Sequence, residues 1–217
     1  MSRAWMGAVL VLLQLGCGAA GVTPDAQWQP PPNFIRNMHE RCRDLSFPTL
    51  GKCFVRQMQR AGASPAAAAF AHRLNNEGYL QHLQVTGKID VAYVVYPFRA
   101  NENDACLLVN GNPPLINVDR LNALPQSSMK HDAVYRKLLR QYPNLSLWPG
   151  DRSGIDSPIN VEQTKDGGQL FLVRYWEQDG CHACARVGVT TFAFDFGSSG
   201  RFLGAKYVKT RPFVATY

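Results

Sequence analysis

The clearest strand pattern in the chain is QLFLVRYWEQDGCHACARVGVTTFAFDFGSSGRFLGAKYVKT, residues 169–210. We predict strands over residues 169–178, 185–196 and 201–210, because apolar residues alternate there with small or polar ones. The segments between them are rich in Gly, Ser and Cys, so the three strands are expected to pair antiparallel in chain order. The doubled threonine at 190–191 shifts the alternation and predicts a β-bulge.

Helical patterns precede this sheet. Phe34, Met38 and Cys42 recur at a spacing of four, and Phe54 and Met58 repeat that spacing after a break. Helices grouped before strands, rather than alternating with them, predict an α+β fold. We therefore divide the chain into a signal peptide (1–20), an extended Pro-rich lead (21–32) and a single α+β domain (33–217), with a helical part over 33–78 and a sheet-rich part over 79–217.

The connection between the first two helices suggests a disulfide. Cys42 lies near the end of the first helix and Cys53 near the start of the second, so the two thiols should face each other across a tight connection. We predict a Cys42–Cys53 bond that staples this helical hairpin and contributes about 2–3 kcal/mol for so short a loop.

The segments between the hairpin and the sheet carry further local signals. Ser64 and Pro65 supply an N-cap and a first-turn proline for a third helix over 65–77, which the alanine run favours. β-Branched and aromatic residues predict a strand over 88–96, and the Asn-Gly-Asn-Pro-Pro turn at 110–114 predicts a hairpin.

A fourth helix is expected before the sheet. Ser127 or Ser128 is a suitable N-cap, Pro143 stops the helix after Tyr142, and the segment 145–159 is dense in Pro, Gly, Asp and Ser, which indicates a loop. The residues expected to face inward from this helix are Val134, Leu138 and Leu139.

The N-terminus has the layout of a secretory signal. A basic residue, Arg3, precedes an apolar run of about ten residues, which is half the length of a membrane-spanning helix. Small residues at 18–20 predict cleavage before Gly21, and a rival cut before Cys17 would allow a lipid anchor there. We expect a periplasmic or secreted protein, or alternatively a membrane-anchored lipoprotein, with no transmembrane segment after cleavage.

The chain carries 23 Lys and Arg against 16 Asp and Glu, a net charge of +7. These charges are dispersed along the sequence, and no nucleic-acid-binding module accompanies them, so nucleic acid is not an expected partner. Two interpretations remain: a weak attraction to anionic surfaces such as outer envelopes, or an ordinary solvated basic surface.

The loop Asp179-Gly180-Cys181-His182-Ala183-Cys184 is the one segment with chemical character. Its two cysteines are compatible with a redox pair, half of a zinc site, or a small disulfide ring at a hairpin tip. The flanking strands favour the ring, because a redox pair is normally activated by a helix N-terminus. Such a ring would present His182 on a rigid exposed loop, where recognition residues are often found. We therefore name His182, Asp179 and Trp176 as candidate binding residues, and Cys181 and Cys184 as the second disulfide.

This arrangement resembles the Ivy-type inhibitors of lysozyme. Cys181, His182 and Cys184 carry the resemblance, within a strand, loop, strand, turn, strand order that covers residues 169–208. In that family a cysteine-closed loop between two strands presents a histidine to the lysozyme active site, so the resemblance implies an inhibitor role for His182. The loop enclosed here is shorter than that of the family.

Catalytic motifs are missing from the sequence. It has no Gly-x-Ser-x-Gly elbow, no HExxH and no phosphate-binding glycine loop, so we expect no cofactor, no metal and no catalytic residue. Five cysteines follow the predicted signal peptide, of which Cys106 is the odd thiol, and it is either a nucleophile or a buried apolar residue. Aromatic residues that could line a groove are Trp148, Tyr175, Trp176, Tyr207 and Phe213. The resulting hypothesis is a non-enzymatic protein that binds an envelope or extracellular protein, with lysozyme inhibition through His182, or thiol-redox or metal chemistry at Cys181 and Cys184, as alternatives.

Overall fold

The computed structural model describes residues 21–99, 103–150 and 159–213 and has an α+β fold, as predicted. The helices are α1 (Phe34–Arg41), α2 (Thr49–Arg60), α3 (Pro65–Arg73) and α4 (Ala133–Gln141). The strands are β1 (Tyr79–Gln84), β2 (Asp90–Val95), β3 (Asp104–Val109), β4 (Leu115–Asn117), β5 (Leu145–Pro149), β6 (Ile159–Gln163), β7 (Gln169–Asp179), β8 (Arg186–Phe196) and β9 (Phe202–Pro212).

The helical hairpin forms as the sequence indicates. The predicted Cys42–Cys53 disulfide is present, with the two Cα atoms 6.1 Å apart. In α3 the Ser64 hydroxyl accepts a hydrogen bond from the Ala67 amide at 3.0 Å, which confirms the predicted N-cap. That helix ends earlier than predicted, at Arg73, because Asn75 and Asn76 adopt left-handed φ angles of 56° and 63°.

The Pro-rich lead differs from the extended tether that was predicted. Pro24–Ala26 forms a short 3-10 turn, and the Trp28 amide donates a hydrogen bond to the Leu80 carbonyl at 2.9 Å. Val22, Ala26 and Trp28 are buried. These apolar side chains hold the segment against β1 and the helices. The free energy gained by burying them outweighs the conformational entropy that the segment loses when it is ordered.

The first sheet has four antiparallel strands in the order β1-β2-β3-β4. The predicted hairpin around 110–114 joins β3 to β4. One face of the sheet packs on α3 and the lead, through residues such as Leu80, Val94 and Leu107. Its other face belongs to the main core that it shares with the second sheet.

The second sheet has five antiparallel strands, in which β7, β8 and β9 pair in chain order as predicted. The expected bulge lies between Thr191 and Phe192. The prediction of a loop over 145–159 was wrong in part: β5 and β6 both pair with β7, at opposite ends of the same edge. Residues 151–158 lie outside the described residues. The turn-forming composition of 145–159 concealed two short strands whose pairing depends on the long neighbour β7.

The fourth helix begins later than predicted. Residues 126–131 form a 3-10 helix, and Asp132, rather than Ser127 or Ser128, caps α4 by accepting hydrogen bonds from the Val134 and Tyr135 amides at 2.7 and 2.9 Å. Asp is as good an N-cap as Ser, and its carboxylate also favours the positive end of the helix. Leu138 is buried as expected, whereas Leu139 is 36% exposed.

The two sheets pack face to face and α1–α3 lie on the other side of the first sheet, so these elements form three layers: helices, first sheet and second sheet. The helix α4 lies outside the helical layer and packs against β9 of the second sheet. Val91, Cys106 and Leu108 of the first sheet meet Phe171 and Tyr175 of the second in the main core. Within the described ranges, no helix is long and apolar enough to cross a membrane. The predicted signal peptide (1–20), with the rival lipidation site at Cys17, lies outside the described residues.

Candidate functional site

The loop between β7 and β8 is closed by a disulfide. Cys181 and Cys184 are bonded, with their Cα atoms 5.0 Å apart, which confirms the interpretation of this pair as a small ring at a hairpin tip. The Cys184 amide donates to the Cys181 carbonyl at 3.0 Å, and Gly180 enters the turn with a φ of 88°. We call residues 180–185 the cysteine tip. Covalent closure and a tight turn leave it few alternative conformations.

His182 is exposed, but its ring contacts Trp148 of β5, with the ring centroids 5.1 Å apart and the planes at 70°. Such an edge-to-face contact is a favourable aromatic geometry. The amide of Gln178, oriented with its nitrogen toward the tip, donates to the carbonyls of Cys181 and His182 at 3.0 Å each. The imidazole is therefore held on one side of the tip.

That side opens into a cleft of about 500 Å³ between the cysteine tip and the end of the first sheet. We call it the tip cleft. Its lining residues are Arg99, Asn103, Asp104, Ala105, Asn117, Asp119, Arg120, Pro149, Gly150, Trp176, Gln178, His182 and Arg186.

Two of the arginines in the tip cleft are positioned by aromatic rings. The Arg186 guanidinium carbon lies 4.6 Å from the centroid of the Trp176 ring, and that of Arg99 lies 3.6 Å from the centroid of the Tyr96 ring. Arg99 also makes a 3.5 Å ion pair with Glu77. Stacking leaves the edges of a guanidinium group available to donate hydrogen bonds to a ligand in the cleft.

Carboxylates partly balance these cations. Asp104 and Asp119 face three arginines in the lining, and an Asp119 oxygen accepts a hydrogen bond from the Cys106 amide at 3.0 Å. The lining therefore carries one more cation than anion when His182 is neutral. This mixture suits a polar ligand with an anionic group better than it suits a cationic or an apolar one.

The indole nitrogen of Trp176 is buried and has no hydrogen-bond partner within the described part of the chain. A buried N–H group without an acceptor is costly and uncommon in folded proteins. The Trp176 side chain contributes to the lining of the tip cleft, but its indole nitrogen is buried and is not accessible from the cleft.

The structure brings together two of the three predicted site residues. His182 and Trp176 line the tip cleft, whereas Asp179 pairs with Leu145 at the end of β7 and does not line it. Arg99 and Arg120 were not predicted, because they lie in the connection between β2 and β3 and after β4, far from the cysteine tip in sequence. Arg186 did carry a local signal, since it is a cation only two residues after Cys184.

The five aromatic residues considered as a groove lining, with a place in the core as the favoured alternative, are divided between the two faces of the second sheet. Trp176 packs edge-to-face on Phe213 at 5.7 Å and pairs across the strands with Trp148, close to the tip. Tyr175 and Tyr207 contribute instead to the main core, on the other face.

Other chemistry has little geometric support in the described residues. Cys106 forms no disulfide and is fully buried in the main core, in agreement with its interpretation as an apolar core residue. The Cys181–Cys184 pair is followed by a strand, so it lacks the helix N-terminus that lowers the pKa of redox cysteines. Across the described ranges, no three His, Cys, Asp or Glu side chains are grouped to hold a metal ion.

Comparison with known proteins yields no assignment. No protein-family model matches the chain, and neither curated proteins nor solved structures gave a match.

Proposed function

We propose that this chain is a non-enzymatic binding protein of the periplasm or extracellular space, and that its tip cleft binds an acidic segment of an envelope or extracellular protein. The observation that carries the proposal is the convergence of His182, Trp176 and Arg186 with Arg99 and Arg120 on one cleft. Two disulfides in the described chain are typical of proteins that fold in an oxidising compartment.

A protein ligand fits this cleft better than a small apolar molecule does. The arginines and the imidazole can donate hydrogen bonds to a ligand, while Asp104 and Asp119 can accept them. A peptide offers both carboxylates and backbone groups, so it can satisfy donors and acceptors together. The aromatic and arginine content is also typical of binding hot spots.

The test replaces Ala183, an exposed residue of the cysteine tip, with a photo-crosslinking amino acid and exposes the protein to envelope extract. We expect a discrete cross-linked partner that excess polyglutamate displaces. The substitutions Arg120→Gln and Arg186→Gln should reduce cross-linking at least tenfold. Arg136→Gln and Arg140→Gln, which remove equal charge from the exposed face of α4, should leave it unchanged. Cross-linking that both pairs of substitutions leave unchanged would refute the proposal.

Lysozyme inhibition is the second candidate, favoured by the observation that a disulfide-closed tip between two strands presents an exposed histidine. A turbidity assay of cell-wall digestion with equimolar protein tests it. Inhibition lost in His182→Ala supports this function. Undiminished digestion at a tenfold excess of protein excludes it. The lining of the tip cleft carries a net positive charge, which would repel a lysozyme that is itself basic, so this candidate is the less favoured of the two.

A further inference from the structure

A second basic surface lies on the helical hairpin, in a different layer of the molecule from the tip cleft. A groove of about 550 Å³ runs along α2, beside the end of α1 and the connection between the two helices, and we call it the hairpin groove. It is lined by Arg41, Leu45, Thr49, Lys52, Cys53, Arg56, Gln57 and Arg60.

The lining of the hairpin groove contains four cations and no carboxylate. Lys52, Arg56 and Arg60 follow one another at a spacing of four on α2, so they form a row along one face of that helix. Arg41 of α1 stands opposite and donates a hydrogen bond to the Gln57 side-chain oxygen at 3.0 Å. Like charges at this spacing destabilise a helix, so an anionic ligand that neutralises them would be favoured.

Charges that are dispersed along the sequence thus gather in the fold. Between Phe34 and Arg60 the only acidic residues are Glu40 and Asp44, and neither lines the groove. The row Lys52, Arg56 and Arg60 is exposed to solvent. The local potential of the hairpin is therefore more positive than the modest net charge of the chain suggests.

Two exposed apolar side chains lie where the groove meets the connection between the helices. Leu45 lines the groove and is 39% exposed, and Phe47 follows it at 46% exposed. The Cys42–Cys53 disulfide holds this end of the hairpin together. A row of cations that ends on exposed Leu and Phe side chains is the combination found on segments that lie in a membrane interface.

We propose that the hairpin groove docks the protein on a membrane surface rich in anionic phospholipid. Lys52, Arg56 and Arg60 would contact lipid phosphates, while Leu45 and Phe47 would enter the boundary between headgroups and acyl chains. A soluble anionic polymer would satisfy the cations equally well but leaves the two apolar side chains in water, so the membrane is the better match. This site is independent of the function proposed for the tip cleft.

Co-sedimentation of the protein with vesicles tests the proposal. We expect binding to phosphatidylglycerol–phosphatidylcholine vesicles, weakened by salt, and no binding to vesicles of phosphatidylcholine alone. The triple substitution Lys52→Gln, Arg56→Gln and Arg60→Gln should weaken binding at least tenfold. The control triple Arg136→Gln, Lys137→Gln and Arg140→Gln removes the same charge from exposed positions of α4 and should weaken it less than twofold.

A second pair of substitutions tests the apolar part of the site. Leu45→Ser and Phe47→Ser together should weaken vesicle binding at least threefold while leaving retention by soluble dextran sulfate unchanged. Both side chains are more than a third exposed, but the Phe47 ring also packs edge-to-face on Phe98 with the centroids 5.5 Å apart, so a thermal unfolding curve must verify that the double variant is folded. Equal losses in the two triple variants, retention by dextran sulfate without vesicle binding, or vesicle binding unaffected by the serine pair would each overturn the proposal.

Discussion

The His182 ring meets the Trp148 ring edge-to-face, with the centroids 5.1 Å apart, across the gap between the cysteine tip and β5. Trp148 is itself fixed, because its indole N–H donates to the Ser146 hydroxyl at 2.8 Å. The disulfide restricts the backbone conformations of the cysteine tip, and the contact with Trp148 restricts the side-chain conformations of His182. The histidine is thus oriented by the sheet as well as by the ring that encloses it.

This contact predicts that an aromatic ring at position 182 is sufficient to order the cysteine tip, whereas binding of the partner requires the imidazole. His182→Phe keeps an aromatic edge against Trp148, so amide exchange in residues 181–185 should match that of the unmodified protein. His182→Ala removes a contact worth about 0.5–1.5 kcal/mol, and exchange there should accelerate severalfold. Both variants should bind the protein that is cross-linked through position 183 about tenfold more weakly. Unchanged exchange in His182→Ala would show that the disulfide alone orders the tip.

Gln169 joins the two sheets through a buried amide. Its side-chain oxygen accepts from the Lys88 and Ile89 amides at 2.9 Å each, and its nitrogen donates to the Thr86 and Ile89 carbonyls at 3.2 and 3.1 Å. The amide therefore has partners for both of its ends, inside an apolar core.

Gln169→Leu should lower the free energy of unfolding by about 1–3 kcal/mol, because the buried Ile89 N–H loses its acceptor and the partly buried Lys88 N–H loses the same one. Urea denaturation followed by tryptophan fluorescence measures this. Gln163→Leu, on the neighbouring strand β6, changes an exposed side chain with a single 3.3 Å bond to Thr86 and should cost less than about 0.5 kcal/mol. Similar losses in the two variants would contradict the assigned role of Gln169.

Local patterns were sufficient for much of the fold. The alternation in residues 169–210 predicted three strands and their bulge, and the spacing of Cys42 and Cys53 predicted their disulfide, because each depends on residues close in sequence. Asp132 as a cap was missed because two serines upstream offered an equivalent signal. β5 and β6 were missed because they are ordered by pairing with β7.

Only the part of the candidate site that lies at the cysteine tip could be predicted from the sequence. His182 and Trp176 lie within a few residues of the cysteines, so the unusual loop drew attention to both. Arg99 and Arg120 reach the tip cleft only because the first sheet packs against the second, and no local spacing encodes that contact. The basic row on α2 follows a helical period, but its meeting with Arg41 depends on the hairpin.

The disulfide of the helical hairpin should contribute more to stability than that of the tip. Replacing Cys42 and Cys53 together by Ala should cost about 2–3 kcal/mol, because the bond closes a loop with a sequence separation of 11. The Cys181–Cys184 bond spans only 3 positions, and its removal should cost about 2 kcal/mol or less. Urea denaturation of both double variants decides the order, and peptide maps with and without reductant verify the pairing.

Glu177 of β7 is buried, and a chain of hydrogen-bonded hydroxyl groups leads from its carboxyl group to Tyr207. Thr190 donates to a Glu177 oxygen at 2.7 Å and must therefore accept from Thr210, whose hydroxyl lies 2.6 Å away. Tyr207 in turn donates to Thr210 at 3.1 Å. Burial raises the pKa of Glu177 to about 7, although the Thr190 hydrogen bond opposes that rise.

This raised pKa predicts that stability falls as pH rises. Below about pH 4.5 the Glu177 carboxyl is protonated in the folded and unfolded chains alike. Between about pH 4.5 and 7 the unfolded chain releases the proton while the folded chain keeps it, so the free energy of unfolding decreases, by up to about 3 kcal/mol in total. Above that range the loss is complete.

Glu177→Gln keeps the hydrogen bond to Thr190 without a titrating group, so it should remove this decrease. Urea denaturation at half-unit steps from pH 4 to 8 gives the comparison, with Glu162→Gln on the exposed face of β6 as the control. The Glu177→Gln curve should match the unmodified protein near pH 4.5 and rise above it toward pH 7, while the Glu162→Gln curve follows the unmodified protein throughout. Parallel curves for all three proteins would mean that Glu177 titrates alike in the folded and unfolded chains.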